Sequence, residues 1–240
     1  MVKFALVGSG EYLPPMEPLD RALLERVAGP PRVVCLPTAA GTEGPERIAY
    51  WMQLGAAHFR RLGVQVESLP VVDRASAEDP SLAQAVAAAN FVYLSGGKPD
   101  YLVRTLSGTR VWSAIQGMLA QGGLLAGCSA GAMVLGERIV GFPGWKPGFN
   151  FLPGMTIIPH FDEIPAAMLT PARLLLGHEL VILGIEGNTA LVKDGEAYTV
   201  LGSGGVTVWG REGKKRYTAA SSISKEVIPS SVSPTKGRDL

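Results

Sequence analysis

A serine framed by two glycines carries the clearest chemical signal in this sequence. The pattern Gly127-x-Ser129-x-Gly131 follows the apolar run Leu124-Leu125-Ala126. A buried strand, a sharp turn and a helix start are the expected context of a nucleophilic serine. Flanking glycines let strand and helix approach closely, while the central residue is strained and its side chain exposed. Ser129 is therefore predicted as a nucleophile; a glycine-rich turn without chemistry is the alternative.

Cys128 is a rival nucleophile, because a thiol is intrinsically more reactive than a hydroxyl. Its neighbours Ala126 and Ala130 are small but carry a Cβ, so the glycines centre the turn on Ser129. The Cys128 side chain would then point into the core, where free cysteines usually lie. The spacing of the glycines therefore favours Ser129 as the nucleophile.

A serine hydroxyl needs a base, and the chain has three histidines, His58, His160 and His178. His58 lies in the arginine-rich part of a predicted helix and is expected to be solvated. His178 follows a helix end, where histidine often caps carbonyls. His160 ends an apolar strand, at the same sheet edge as Ser129 if both strands are parallel. We therefore predict His160 as the base.

The imidazole in turn needs an acid to set its tautomer. Glu186 ends the buried strand Val181–Glu186, where an isolated carboxylate would be costly unless paired. Asp162 would share a face with His160 in a continuing strand. Asp162 and Glu163 also match the acidic first turn of a following helix. Burial favours Glu186, with Asp162 as the alternative.

An oxyanion hole needs two N–H donors near the nucleophile. Ala130 follows Ser129 directly and supplies the first. Gly97 or Gly96, at the end of another predicted strand, can supply the second, because glycine lets the backbone approach a tetrahedral centre closely. An ordinary strand-ending turn is the alternative interpretation of this glycine pair.

Short apolar strands alternating with helices must position these groups, a pattern that predicts parallel βαβ units. Strands are predicted at Lys3–Val7, Arg32–Leu36, Val64–Val72, Phe91–Leu94 and Met155–His160, and helices at Glu17–Val27, Pro45–Leu62, Pro80–Ala89, Asp100–Leu106, Val111–Gln121 and Pro165–Leu176. Segment 141–148 holds many helix and strand breakers and is expected to be irregular. Beyond Gly177, short strands and the hairpin signal Lys193-Asp194-Gly195 predict antiparallel strands added to one sheet edge. Residues 1–220 form one predicted α/β domain, followed by a partly ordered tail, 221–240.

Composition limits the function classes. With 240 residues, 47% hydrophobic and 18% charged, the chain can bury a large core. A net charge of +1 argues against nucleic acid or an anionic membrane as the main partner. Two cysteines make no disulfide framework, and no apolar run reaches membrane-spanning length. A cytoplasmic protein is expected, and a homodimer or higher homo-oligomer is compatible with the sequence.

Six short motifs occur in an order that resembles the peptidase E and cyanophycinase family. They are Gly8-Ser9-Gly10-Glu11, Leu36-Pro37-Thr38-Ala39, Ser95-Gly96-Gly97, Gly127-Cys128-Ser129-Ala130-Gly131-Ala132, Pro159-His160-Phe161-Asp162 and Gly184-Ile185-Glu186-Gly187-Asn188-Thr189-Ala190. The resemblance implies a mainly parallel sheet between helices, of the class I glutamine-amidotransferase-like type. It also implies a triad of Ser129, His160 and Glu186, oxyanion donors Gly97 and Ala130, and no metal or organic cofactor.

The substrate is less closely defined, because the chain departs from the family pattern. Lys98-Pro99 replaces the usual residues after the glycine pair, and only Arg173 stands where cyanophycinases have an arginine cluster. Similarity to the dipeptidase branch implies a small peptide with an acidic residue. Its carboxylate would bind Lys98 or Arg173, unless both are simply solvated. Gly96 and Asp162 are further candidate binding residues.

Four hypotheses about function follow. The resemblance favours a serine dipeptidase acting on small aspartyl peptides. The alternatives are a cyanophycinase-like exopeptidase on β-aspartyl substrates, an amidotransferase-like amide hydrolase using Cys128 with His160 and Asp162, and a catalytically silent binding protein on the same fold.

Overall fold

The structure is a computed structural model that describes residues 2–141, 144–165, 167, 180–211, 213–219, 221–224 and 228. The helices are α1 Glu17–Leu24, α2 Pro45–Arg61, α3 Arg74–Ala77, α4 Pro80–Ala88, α5 Pro99–Leu106, α6 Arg110–Ala120 and α7 Ala130–Met133. The strands are β1 Lys3–Val7, β2 Arg32–Leu36, β3 Gln65–Ser68, β4 Phe91–Leu94, β5 Leu124–Cys128, β6 Arg138–Gly141, β7 Gly144–Pro147, β8 Met155–Ile158, β9 Val181–Ile185, β10 Thr189–Asp194, β11 Ala197–Gly202, β12 Gly205–Gly210, β13 Gly213–Thr218 and β14 Ser222–Ile223.

The central sheet has eight strands in the order β14-β11-β10-β1-β5-β4-β2-β3. Strands β1 to β5 pair in parallel, whereas β10, β11 and β14 add antiparallel pairs at one edge. Both the mainly parallel α/β fold and the antiparallel extension are therefore confirmed. The carboxyl ends of β1, β4 and β5 meet in the middle of this sheet, where open parallel sheets place ligands.

Helices cover both faces of the central sheet, and strand alternation explains how. In β1, Phe4 and Leu6 belong to one hydrophobic core, while Ala5 and Val7 belong to the other. Successive side chains of a strand point to opposite faces, so one apolar strand supplies both cores. Residues of α5 and α6 pack in the first core and residues of α1 and α2 in the second.

A second sheet carries the segment with His160. Its order is β13-β12-β9-β8, with β8 and β9 parallel and the other pairs antiparallel. The expectation that the strand before His160 shares the sheet of Ser129 is therefore wrong. Strand β1 already has β10 and β5 as its neighbours, so β8 has to pair elsewhere, with β9.

Three predicted elements differ from the structure. Most of segment 141–148 that the structure describes is regular, because Gly141 ends β6 and Gly144–Pro147 forms β7, which pairs antiparallel with β6. The predicted strand at Val64–Val72 shortens to β3, since Pro70 lacks the N–H that a ladder needs. The strand before His160 ends at Ile158, because Pro159 follows and His160 has a φ of 52°.

The structure describes the C-terminal region only in part. Ser222–Ile223 pairs with β11, so the start of the predicted tail belongs to the central sheet. The helix predicted at Pro165–Leu176 falls largely outside the described residues. In the part of the chain that the structure describes, the helices are all too short or too polar to cross a bilayer.

Candidate active site

Ser129 occupies a strained turn between β5 and α7. Its φ of 51° and ψ of −111° lie where few non-glycine residues are found. A Cβ on Gly127 would lie 2.1 Å from the Gly131 carbonyl oxygen, and a Cβ on Gly131 would lie 2.4 Å from the Leu94 carbonyl oxygen. Both positions therefore require glycine, because α7 packs directly onto the ends of β4 and β5.

His160 reaches Ser129 from the second sheet. Its Nε2 lies 3.2 Å from Ser129 Oγ, within reach of a hydrogen bond. The next residue, Phe161, is buried and packs flat on β9, where a Cβ on Gly184 would come 2.4 Å from its ring. Packing of Phe161 on a glycine therefore fixes the turn that presents His160.

The carboxylate on the other ring nitrogen of His160 belongs to Glu163. Nδ1 lies 3.0 Å from Glu163 Oε1. A carboxylate accepts, so this contact assigns the ring hydrogen to Nδ1 and leaves Nε2 to accept the Ser129 hydroxyl proton. Glu163 is three residues on, across a single 3-10 turn, and its side chain is 63% exposed.

Glu186 is bound elsewhere in this structure. Arg216 donates Nε to Oε1 and Nη2 to Oε2, both at 2.6 Å, and the Gly205 N–H donates to Oε2 at 2.8 Å. The hydrogen bonds from Arg216 lower the pKa of Glu186, and the charge on Arg216 adds to this effect. The structure thus brings Ser129 and His160 together but pairs Glu186 with Arg216.

Asp162, the other acid considered, also has its own partner. Its Oδ1 accepts the Gly187 N–H at 2.8 Å, which ties the turn after His160 to the segment after β9. Its backbone belongs to a 3-10 turn rather than a continuing strand, so the alternation argument does not apply.

The glycine pair after β4 lies against the nucleophile. A Cβ on Gly96 would be 3.4 Å from Ser129 Cβ. Gly97 has a φ of 138°, and a Cβ there would be 2.5 Å from the Ala39 carbonyl. The Gly96 N–H is already donated to Glu11 Oε1 at 2.9 Å, which leaves Gly97 as the better donor to a substrate. Ala130 begins α7, where first-turn N–H groups have no intrahelical acceptor.

Cys128 is fully buried, as its position in the turn predicts. Its thiol donates to Glu11 Oε2 at 3.0 Å. Burial raises the pKa of Cys128 well above its usual value, and the charge of Glu11 raises it further. A buried, protonated thiol is a poor nucleophile, so these observations oppose the Cys128 alternative.

The remaining predicted residues are Lys98, Arg173 and two of the histidines. Lys98 is exposed beside Gly97 and donates Nζ to Thr42 Oγ1 at 2.9 Å. Arg173 and His178 lie outside the described residues. The expectation of a solvated His58 is wrong: its side chain is fully buried and its Nε2 lies 2.7 Å from Asp20 Oδ2 on α1.

Three residues escaped the sequence analysis as parts of this site: Glu11, Arg216 and, as the acid on His160, Glu163. The i, i+3 spacing of His160 and Glu163 was the available signal, since such residues meet across one turn. Across the described ranges, the His, Cys, Asp and Glu side chains form no group of three or more that could hold a metal ion.

Similar architecture is found in solved peptidase structures. A peptidase from an acI-B1 actinobacterium superposes with a TM-score of 0.84 and 36% identity, covering 93% of this chain and 97% of that one. A putative peptidase E from Listeria monocytogenes EGD-e gives a TM-score of 0.63 and 20% identity over 85% and 99% of the two chains. The latter similarity concerns the fold alone.

Curated proteins with similar sequences are cyanophycinases. Cyanophycinases of Synechococcus elongatus and Thermosynechococcus vestitus are each 27% identical over 164 residues, 62% of this chain. The chain spans about half the length of these curated relatives, since the match covers 51% of each. The model of peptidase family S51 matches residues 4–201. Together with the motif order and the turn that joins β5 to α7 at Ser129 (the elbow), that match shows that this chain belongs to peptidase family S51, as its resemblance to peptidase E and cyanophycinase indicates.

Proposed function

We propose that this protein is a serine peptidase whose nucleophile is Ser129 and whose general base is His160. The 3.2 Å contact between Ser129 Oγ and His160 Nε2, on a strained turn between β5 and α7, is the observation that carries the proposal. A hydroxyl held against an imidazole, with the N–H groups of Gly97 and Ala130 on neighbouring turns, is suited to acyl transfer.

In the proposed mechanism, His160 Nε2 takes the Ser129 proton as Oγ attacks the substrate carbonyl. The N–H groups of Gly97 and Ala130 stabilise the oxyanion. His160 then protonates the leaving amine, and a water molecule hydrolyses the acyl-enzyme with His160 again as the base. Glu163 accepts the Nδ1–H and stabilises the imidazolium; Glu186, predicted for this role from the sequence, would need to leave Arg216 first.

For the substrate, we propose a small peptide with an acidic residue, of the aspartyl dipeptide type. Lys98 supports this choice, because it is an exposed cationic residue that directly follows Gly97, a proposed oxyanion donor. An ammonium on a flexible stem can leave Thr42 for a substrate carboxylate at little cost. The match to peptidase family S51 supports a peptide as the substrate.

A fluorophosphonate probe and a dipeptide library test these proposals. The native protein should be labelled at Ser129, and Ser129→Ala should lose both labelling and hydrolysis, by several powers of ten, with its melting transition retained. A Ser129→Ala variant that hydrolyses peptides at the native rate would contradict the proposed nucleophile.

The role of Lys98 is tested by comparing matched substrates. Asp-Xaa and Asn-Xaa dipeptides differ only in side-chain charge. Lys98→Met should reduce kcat/KM for the Asp series about tenfold to hundredfold and leave the Asn series unchanged. An equal loss on both series would show that Lys98 does not recognise the carboxylate.

A further inference from the structure

Glu11 connects the two backbone turns that surround Ser129. It lies in the loop after β1, with 8% of its surface exposed, and each of its carboxylate oxygens has a different partner. Oε1 accepts the Gly96 N–H at 2.9 Å, and Oε2 accepts the Cys128 thiol at 3.0 Å. One buried side chain therefore contacts the residue before Gly97 and the residue before Ser129.

The segment that carries Glu11 is itself firmly held. Tyr12, the next residue, is fully buried, and its hydroxyl lies 3.0 Å from Ser95 Oγ. Gly10 has a φ of 89° and lies so close to Asn188 that a Cβ would be 2.3 Å from Oδ1. Glu11 thus extends from a rigid loop, so its carboxylate can impose a position on the turns that it contacts.

We propose that Glu11 is a positioning residue that sets the geometry of the oxyanion hole. This inference rests on the proposed serine peptidase function. By accepting the Gly96 N–H, Glu11 fixes the turn after β4 and so aligns the next N–H group, that of Gly97, beside the Ala130 N–H. It touches neither the substrate nor the reacting atoms.

The two hydrogen bonds have unequal importance for that alignment. The hydrogen bond from Gly96 comes from a backbone N–H, so it fixes the backbone conformation of the Gly96-Gly97 turn directly. The bond to Cys128 ends on a side chain, and the backbone of the elbow is already held by the Ser129 N–H to the Val7 carbonyl, at 3.0 Å. The contact with Gly96 is therefore the one on which catalysis depends.

Four variants separate positioning from simple structural support. Glu11→Ala removes both hydrogen bonds. Glu11→Gln keeps an acceptor for Gly96 and turns its amide donor toward the sulfur, a weak acceptor. Cys128→Ala removes only the thiol bond, and Tyr12→Phe removes a buried hydroxyl from the same loop without touching Gly96.

The readouts are kcat, KM and the inhibition constants of a peptide boronic acid and of the amine product, which leaves when the acyl-enzyme forms. A boronate adduct on Ser129 places a negatively charged oxygen in the oxyanion hole, whereas the amine product has no atom at that position. Removing one oxyanion donor outright costs about 10²–10³-fold in kcat, so displacing one should cost about tenfold to hundredfold.

We expect Glu11→Ala to lose about tenfold to hundredfold in kcat and in boronate affinity, with KM and product affinity within about twofold of native. Glu11→Gln, Cys128→Ala and Tyr12→Phe should stay within about fivefold of native kcat. Should Glu11→Ala fail to fold, Glu11→Met, which fills the space but offers only a weakly accepting sulfur in place of the carboxylate, takes its place.

Two results overturn the inference. One is a folded Glu11→Ala or Glu11→Met with native kcat and boronate affinity. The other is an equal loss of kcat in Tyr12→Phe, which would make the effect one of general loop stability. Failure of the underlying function is distinguishable, because the native protein would then not be labelled at Ser129.

Discussion

The close packing of the turn at Ser129 makes Gly131→Ala a sharp test of the site. The added Cβ would lie 2.4 Å from the Leu94 carbonyl oxygen and 3.0 Å from Leu94 Cβ. Real Cβ atoms do not approach closer than 3.0 Å, so α7 and β4 must separate by at least ~0.6 Å. Overpacking of this kind costs about 1–3 kcal/mol, or a fall in melting temperature of about 3–10 °C.

The same displacement should also slow catalysis. Gly131 is the second residue of α7, so moving the helix moves the Ala130 N–H relative to the Gly97 turn. A misplacement of 1 Å can cost about 10²-fold, so we expect the labelling rate of Ser129 and kcat to fall about tenfold or more.

The matched control for this experiment is Gly117→Ala. Gly117 lies within α6, and a Cβ added there would meet no atom outside its own helix within 4 Å. Alanine at this position should stabilise the protein by up to about 1 kcal/mol and leave kcat unchanged. A Gly131→Ala protein with a native labelling rate would refute the reasoning from close packing.

Three further predictions concern the charged groups of the site. Glu163→Gln should lower kcat about tenfold to hundredfold, whereas Glu186→Gln should lower the melting temperature with little loss of kcat. The reverse result would show that Glu186, and not Glu163, orients His160. Iodoacetamide should neither label Cys128 in the folded protein nor inhibit it, as mass spectrometry can show. Because Arg216 lowers the pKa of Glu186, their ion pair stabilises the fold at pH values above the ordinary carboxyl pKa of about 4.3, and this stabilisation is lost as the pH falls through the lowered pKa. Melting temperatures measured over a series of acidic pH values should therefore fall further for the native protein than for the double variant Glu186→Gln/Arg216→Met. The difference should correspond to up to about 1 kcal/mol in the free energy of unfolding.

Local patterns predicted the elements that position the site. The strand, turn and helix around Ser129 are encoded within fifteen residues. Each flanking glycine is required by a close backbone contact, that of Gly127 within this unit and that of Gly131 with β4. His160 could be selected since the other two histidines had alternative roles. Its sheet could not be predicted, because the pairing of β8 with β9 depends on contacts distant in sequence.

Distant partners explain the main errors. His58 stands among arginines, so its helix face was expected to be solvated, yet Asp20 on α1 meets it at 2.7 Å inside the core. No periodicity within α2 shows that partner. Burial also raises the pKa of Asp20, while hydrogen bonding and the charge of His58 lower it, so neither residue's environment can be inferred without the other.

Burial predicts that Glu186 has a partner, and the pairing of the strands determines which residue that partner is. A carboxylate at the end of a buried strand needs a partner, and that expectation holds, since its side chain is 14% exposed and paired. Which partner it takes depends on register: Thr207 of β12 lies opposite Gly184 on β9 and opposite Arg216 on β13. Residues two apart share a face of a strand, so Arg216 can reach Glu186 diagonally across the second sheet. The need for a counter-charge is thus a local property of the sequence, but the identity of the counter-charge is a property of the sheet.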